Sequence, residues 1–218
     1  MTHNYTAVLF DLDGTIVDSA PGITATLAWT FEQLQLPIPT PADLLAYVGP
    51  PILDSFRDIS HLSPEVAAGA LAIYRERYLR FGVQDAAAFP GLREVLVAVR
   101  EAGIPISLAT SKPERPAKAI LAELGFLDLF DVITGASEDE VRSAKKDVVA
   151  EALVRLAARG VDISRPVLVG DRKHDVEGAA ANEVPTIFVE WGYGAPAEQA
   201  GAVAVARTTG ELVEMLVG

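Results

Sequence analysis

Asp11 and Asp13 stand one residue apart at the end of an apolar run, Val8-Leu9-Phe10, and Gly14-Thr15 follow them. Carboxylates gathered in one place repel each other, and without a counter-charge some must hold their protons. A hard divalent cation resolves the conflict, and Mg²⁺ suits a site of one or two carboxylates, water and a substrate phosphate. A carboxylate in that setting can act as a nucleophile toward phosphorus and form an acyl phosphate. A second carboxylate can protonate the departing oxygen and then activate water. The ordinary alternative is a capped turn, with Asp13 or Thr15 satisfying nearby N–H groups.

Two further stretches repeat the event. Ile104-Pro105-Ile106-Ser107-Leu108-Ala109 runs into Thr110-Ser111-Lys112-Pro113, and Pro166-Val167-Leu168-Val169 runs into Gly170-Asp171. Thr110 can bond a phosphoryl oxygen, and a lysine can balance the charge that gathers there.

An apolar run that stops abruptly at acids and glycine reads as a buried strand with a turn at its carboxyl edge. Gly14 permits the backbone angles that return Asp13 toward Asp11. After Thr15 the rhythm is helical: Leu27, Phe31 and Leu34 share a face. Breaks follow at Pro37, Pro39 and Pro41 and at Gly49-Pro50-Pro51. Ser63-Pro64 opens a helix whose apolar or aromatic positions are Leu71, Tyr74, Tyr78 and Phe81. Residues 16–86 thus read as an all-helical block without strands, inserted after the first strand.

From Phe89 onward helices alternate with strands, including Asp131-Val132-Ile133-Thr134, a helix from Lys145 to Ala158, a helix from Asp175 to Asn182, and Thr186-Ile187-Phe188-Val189. Ala202 to Ala206 reads as a last strand and Glu211 to Leu216 as a last helix. The expectation is an α/β fold, a parallel sheet wrapped by helices on both faces. The carboxyl ends of its strands share one rim, which brings the polar sets together.

Totals narrow the function classes. The chain has 218 residues, half of them hydrophobic, enough for a sizeable core. Thirty acids against 18 bases give a net charge of −12, which disfavours nucleic acid and anionic membranes as partners. The absence of cysteine excludes disulfides, zinc–thiolate sites and thiol nucleophiles. No targeting or membrane-spanning segment stands out, so a cytoplasmic location is the default expectation.

The motifs resemble those of the haloacid dehalogenase superfamily, in the phosphoglycolate phosphatase-like branch, and are especially similar to a bacterial 5′-nucleotidase group there. The resemblance spans essentially the whole chain. It implies a Rossmann-like core of residues 1–16 and 87–218 and a helical-bundle cap of residues 17–86. It implies a Mg²⁺-dependent phosphatase acting through an aspartyl-phosphate, with phosphoglycolate or a nucleoside 5′-monophosphate as candidate substrates. Asp11 would be the nucleophile and also a metal ligand. Asp13 would be the acid/base and a metal ligand through its backbone carbonyl. Thr110 would hold the phosphoryl group, and Asp171 would ligate Mg²⁺ with Asp175 supporting metal-bound water. The third-motif lysine falls on Lys145 or Lys146, and the spacing to Val148 favours Lys145. Gly14, Ser111, Lys112 and, in the cap, Gly49 complete the candidate substrate-binding set. The partner the resemblance implies would be a small phosphorylated metabolite, with the protein expected as a monomer or small homo-oligomer.

Four other readings compete. Dehalogenases of the superfamily need no metal and lack the second aspartate. Sugar phosphomutases add basic cap residues, which the loop Tyr47-Val48-Gly49-Pro50-Pro51 lacks. Response-regulator receivers are much shorter and carry no cap. A catalytically inactive binding protein on this fold would have no use for every expected catalytic residue type. His174 has no second histidine at ligand spacing, and Trp191-Gly192-Tyr193-Gly194 reads as a turn with packing aromatics.

Overall fold

The structure is a computed structural model in which residues 4–218 are described. In chain order the strands are β1 (Ala7–Phe10), β2 (Val17–Asp18), β3 (Ala87–Ala88), β4 (Ile106–Pro113), β5 (Val132–Ala136), β6 (Pro166–Gly170), β7 (Thr186–Val189) and β8 (Ala204–Ala206). The helices are α1 (Ala20–Gln33), α2 (Pro41–Leu44), α3 (Ile52–Asp58), α4 (Pro64–Arg77), α5 (Leu92–Glu101), α6 (Glu114–Glu123), α7 (Lys145–Ala158), α8 (Lys173–Ala180) and α9 (Thr209–Val217).

Successive side chains of a strand face opposite ways, and β1 uses this to seed two cores. Val8 and Phe10 enter one with residues of α5, α6 and α9. Ala7 and Leu9 enter the other with Val148, Val149, Ala152 and Leu156 of α7 and Ala179 of α8. Burial on both faces explains why β1 is apolar throughout. Six strands form the parallel sheet in the order β5-β4-β1-β6-β7-β8. Because β1 lies between β4 and β6, the three carboxyl ends that carry polar residues are adjacent.

The segment between β2 and β3 is built from α1 to α4. Phe31, Tyr47 and Phe56 meet edge to face at centroid distances of 6.0–6.4 Å and form its small core. Ser63 caps α4 by accepting from the Val66 N–H, as the Ser-Pro start predicts.

Three departures from the sequence reading matter. First, the helical block does contain a strand: β2 pairs antiparallel with β3, Val17 opposite Ala88 and Asp18 opposite Ala87. Two-residue strands carry no periodicity to read. Second, Thr110-Ser111-Lys112 lie inside β4 rather than in a turn after it, and the pairing with β5 shifts register between Ala109 and Pro113. Such an irregularity keeps the strand going while re-aiming its side chains. Third, Phe81 is 55% exposed. After Arg77 the helix widens into a π turn, Tyr78–Gly82, which rotates Phe81 off the apolar face, and Arg77 covers its ring. Among the described residues no helix is long and apolar enough to cross a membrane.

Candidate active site

The end of β1 is a tight turn. The N–H groups of Ile16 and Val17 both reach the Leu12 carbonyl, at 2.9 and 3.0 Å, and Gly14 N–H reaches the Val17 carbonyl at 2.8 Å. Gly14 sits at φ +89°, and a Cβ there would fall 2.3 Å from an Asp171 carboxylate oxygen. The turn therefore needs glycine for its backbone angle and for the close approach of Asp171. The result is a pocket floor in which Asp11 and Asp13 are each 5% exposed and Asp171 is fully buried.

Lys145, the first residue of α7, reaches this floor from the second core. Its Nζ lies 2.5 Å from Asp11 Oδ1 and 2.7 Å from Asp175 Oδ1, and it donates to the Ala109 carbonyl at 2.8 Å. Lys146 is exposed, and its carbonyl accepts from the Asn182 side chain at 2.8 Å. Of the two lysines, only Lys145 joins the acids. Burial pulls Lys145 down, but Asp11 and Asp175 outweigh it and hold it protonated well above its ordinary value.

The acids respond the other way. Burial is the largest influence on Asp11 and raises it to about 7; Lys145 opposes the rise, while Asp175 and Asp13 add to it. Asp171 is also raised well above its ordinary range, first by burial and then by Asp175 and Asp11. Asp175 is fixed by its own turn, where Oδ2 accepts from the N–H groups of Asp171 and Arg172 at 3.1 and 3.0 Å.

One oxygen from each of Asp11, Asp171 and Asp175 lies within 4.8 Å of the others. Three hard oxygen donors crowded in a buried site, two of them with raised pKa values, fit a hard divalent cation. The Asp13 carboxylate is not in this trio. Its Oδ1 accepts from Ser19 Oγ at 2.5 Å, and its Oδ2 pairs with Lys112 Nζ at 3.1 Å. Lys112 Nζ also donates to the Tyr78 hydroxyl at 3.0 Å, so this lysine links Tyr78 of the helical segment to the second aspartate.

Thr110 is buried, and its Oγ1 accepts from Lys112 N–H at 3.2 Å. Ser111 and Lys112 line the cavity beneath the helical segment, and so does Gly49, at φ +105°. Gly49 also backs onto Arg172, whose Cγ a Cβ would approach to 3.2 Å. Arg172 Nη1 donates to the Val48 carbonyl at 2.5 Å, so this loop serves both as cavity wall and as contact with the turn between β6 and α8. His174 is half-buried on α8, and burial lowers its pKa.

The sequence reading missed four positioning residues. Thr15 donates to Asp171 Oδ1 at 3.2 Å, and Ser19 holds Asp13. The Tyr193 N–H donates to Asp171 Oδ2 at 2.8 Å, and its hydroxyl donates to Asp18 at 2.7 Å. Trp191 Nε1 donates to the Thr15 carbonyl at 3.0 Å. The signal for Tyr193 and Trp191 was present as two glycines: a Cβ at Gly192 would fall 2.3 Å from Asp171 Cβ, and one at Gly194 only 1.9 Å from the Asp171 carbonyl oxygen.

A parallel sheet with Asp11, Lys145 and Asp171 on one rim defines a class, and comparison agrees. The model of the haloacid dehalogenase-like hydrolase family matches residues 8–189, and the chain belongs to that family. It is 41% identical over 188 residues to the tyrosine-protein kinase PtkA of Mycobacterium tuberculosis, covering 86% of this chain and 62% of the relative. The chain thus spans less than two thirds of the length of that relative. It is 33% identical over 194 residues to a 5′-nucleotidase of Pseudomonas aeruginosa, covering 89% of this chain and 86% of the other. Among solved structures, that of a predicted phosphatase from Clostridium acetobutylicum superposes with a TM-score of 0.90 at 32% identity, covering 96% and 97% of the two chains.

Proposed function

We propose that the protein is a Mg²⁺-dependent phosphatase that hydrolyses small phosphate monoesters through an aspartyl-phosphate on Asp11. The observation that carries this is the Asp11–Lys145–Asp175 contact, with Lys145 Nζ at 2.5 and 2.7 Å from the two acids. It opposes the rise that burial imposes on Asp11 and fixes the position of its carboxylate. Asp11 attacks phosphorus, the bond from phosphorus to the alcohol oxygen breaks, and Asp13 gives that oxygen a proton. Asp13 then takes a proton from water, which attacks the acyl phosphate, releasing inorganic phosphate and restoring Asp11. Thr110 and Lys145 are the donors placed to steady the phosphoryl oxygens. Asp11 and Asp171, with Asp175 and the Asp13 carbonyl, would hold Mg²⁺, which when bound supplies charge neutralisation between substrate phosphate and carboxylates.

Residues 17–86 act in this reading as a cap over the core of residues 1–16 and 87–218, and β2 and β3 are its two connections. The two cations lining the cavity are already engaged, Lys112 by Asp13 and Arg75 by Glu140. Within that cavity neither cation is free to grip a second phosphate, which favours hydrolysis over a mutase. The test is a panel of phosphate esters with Mg²⁺, scored by released phosphate. Asp11→Asn should abolish turnover in a protein that still unfolds cooperatively, and near-normal turnover in that variant would sink the mechanism.

A second reading is transfer of the phosphoryl group from Asp11 to a tyrosine hydroxyl instead of water. It is favoured by the 41% identity to a protein named a tyrosine-protein kinase. Labelled ATP and a tyrosine-containing peptide distinguish the two by whether label appears in peptide or only in free phosphate.

A further inference from the structure

Above Asp13 lies a cavity of about 120 Å³ between the helical segment and the sheet rim. A dry cavity of about 150 Å³ lined by aliphatic and aromatic side chains holds one benzene ring, so this one is the size of a single ring. Most of its wall is apolar. The rings of Tyr74 and Tyr78 stack with centroids 5.5 Å apart and planes 10° apart, and Ile23, Leu71, Leu79 and Pro116 add side-chain methylenes and methyls. The Tyr78 hydroxyl bonds Lys112, and the Tyr47 hydroxyl bonds Ser60 at 2.6 Å.

The charges at its edges are equally informative. Lys112 is paired with Asp13 at 3.1 Å. Arg75 is paired with Glu140 and donates to the Glu138 carbonyl at 3.1 Å. Glu138 and Glu140 themselves line the rim. A leaving group that carries a carboxylate would meet two acids and no unpaired cation. A nucleoside would bring hydroxyls and base edges to walls that offer few hydrogen bonds, in a space sized for one ring.

We propose that the ester cleaved at this site carries a compact, uncharged, single-ring alcohol, phenolic or benzylic, whose ring lies between the tyrosine stack and the leucines while its phosphate meets Asp11. The proposal rests on the phosphatase reading above and adds the class of leaving group to it.

The experiment compares benzyl phosphate, 2-phosphoglycolate and adenosine 5′-monophosphate with Mg²⁺, all esters of primary alcohols and so of similar intrinsic reactivity. For the unaltered protein, kcat/KM for benzyl phosphate should exceed both others by about 10²-fold, the scale of discrimination by an apolar pocket. Filling the cavity by Leu71→Trp, or separately by Leu79→Trp, should bring the benzyl-to-phosphoglycolate ratio down at least tenfold. A ratio at or below one in the unaltered protein overturns the proposal, whether or not the variants fold. A ratio that neither folded variant changes also overturns it. Release of phosphate from none of the three, nor from a broader panel, overturns the phosphatase reading itself.

Discussion

Lys145→Met removes the one charge that two buried acids share, while keeping all but the last atom of the side chain's length. Nζ sits 2.5 Å from Asp11, 2.7 Å from Asp175 and 2.8 Å from the Ala109 carbonyl, and Lys145 is 6% exposed. Unit charges 4 Å apart interact by about 4 kcal/mol at an effective dielectric of 20, and both contacts here are shorter. The cost of burying the ammonium offsets much of that gain. Deleting one partner of such a pair leaves uncompensated charge and costs about 3–5 kcal/mol. We therefore expect urea unfolding in chelator at pH 8 to show the variant destabilised by about 3–5 kcal/mol. Added Mg²⁺ should stabilise it more than it stabilises the unaltered protein, because the cation takes over the neutralisation. Turnover should fall about 10²-fold or more, the usual loss for one electrostatic stabiliser. The exposed Lys146, replaced in the same way, should stay within about 0.5 kcal/mol of the parent. Equal stability of Lys145→Met and the parent in chelator, or equal damage at Lys146, would refute the argument.

Three other outcomes can be checked directly. Chelation should stop hydrolysis and Mg²⁺ restore it where Ca²⁺ does not, because Ca²⁺ takes more ligands at longer range and can engage the attacking Asp11 oxygen; full turnover in chelator would point to metal-free chemistry. Gly14→Ala sets a Cβ 2.3 Å from Asp171 Oδ2 at φ +89°, so calorimetry should find Mg²⁺ affinity lowered about tenfold or more, and unchanged affinity would mean that the turn tolerates the shift. Burial raises Glu114, but Arg155 and Lys118 outweigh it and hold it below the ordinary range. Its stabilisation is thus present above the unfolded-state pKa and lost as pH falls through the folded one, so the stability gap between parent and Glu114→Gln should close on acidification, and a gap constant with pH would exclude the linkage.

Much of the sheet was legible because β1, β4, β6 and β7 are buried on both faces and read as continuous apolar runs. The helix Lys145–Ala158 was legible from its periodicity, down to both ends. The polar rim could be anticipated from strand ends alone, but which groups touch could not. That Lys112 bonds Asp13 and a tyrosine 34 positions away depends on how the helical segment lies over the sheet, and no local pattern records that. Tyr193 was hidden for a similar reason, since it acts through its main-chain N–H, which every residue except proline has. β2 and β3 were invisible because two residues cannot display a period. Phe81 misled because its spacing fits an α-helix, and the chain winds as a π turn there.

Tyr193 bonds both the acid cluster and the base of the helical segment. Its N–H holds Asp171 at 2.8 Å, and its hydroxyl takes the Ser19 and Ala20 N–H groups at 2.9 and 3.1 Å while donating to Asp18. The second set lies where the chain leaves β2 and enters α1, the strap on which the helical segment hangs. A swing of that segment about β2 would pull on the phenol and, through the same residue, on its contact with Asp171. By thermodynamic reciprocity, if closure of the helical segment favours the cation, the cation favours closure by the same factor. Loading the cation would then stiffen the strap, and an open lid would loosen the cation.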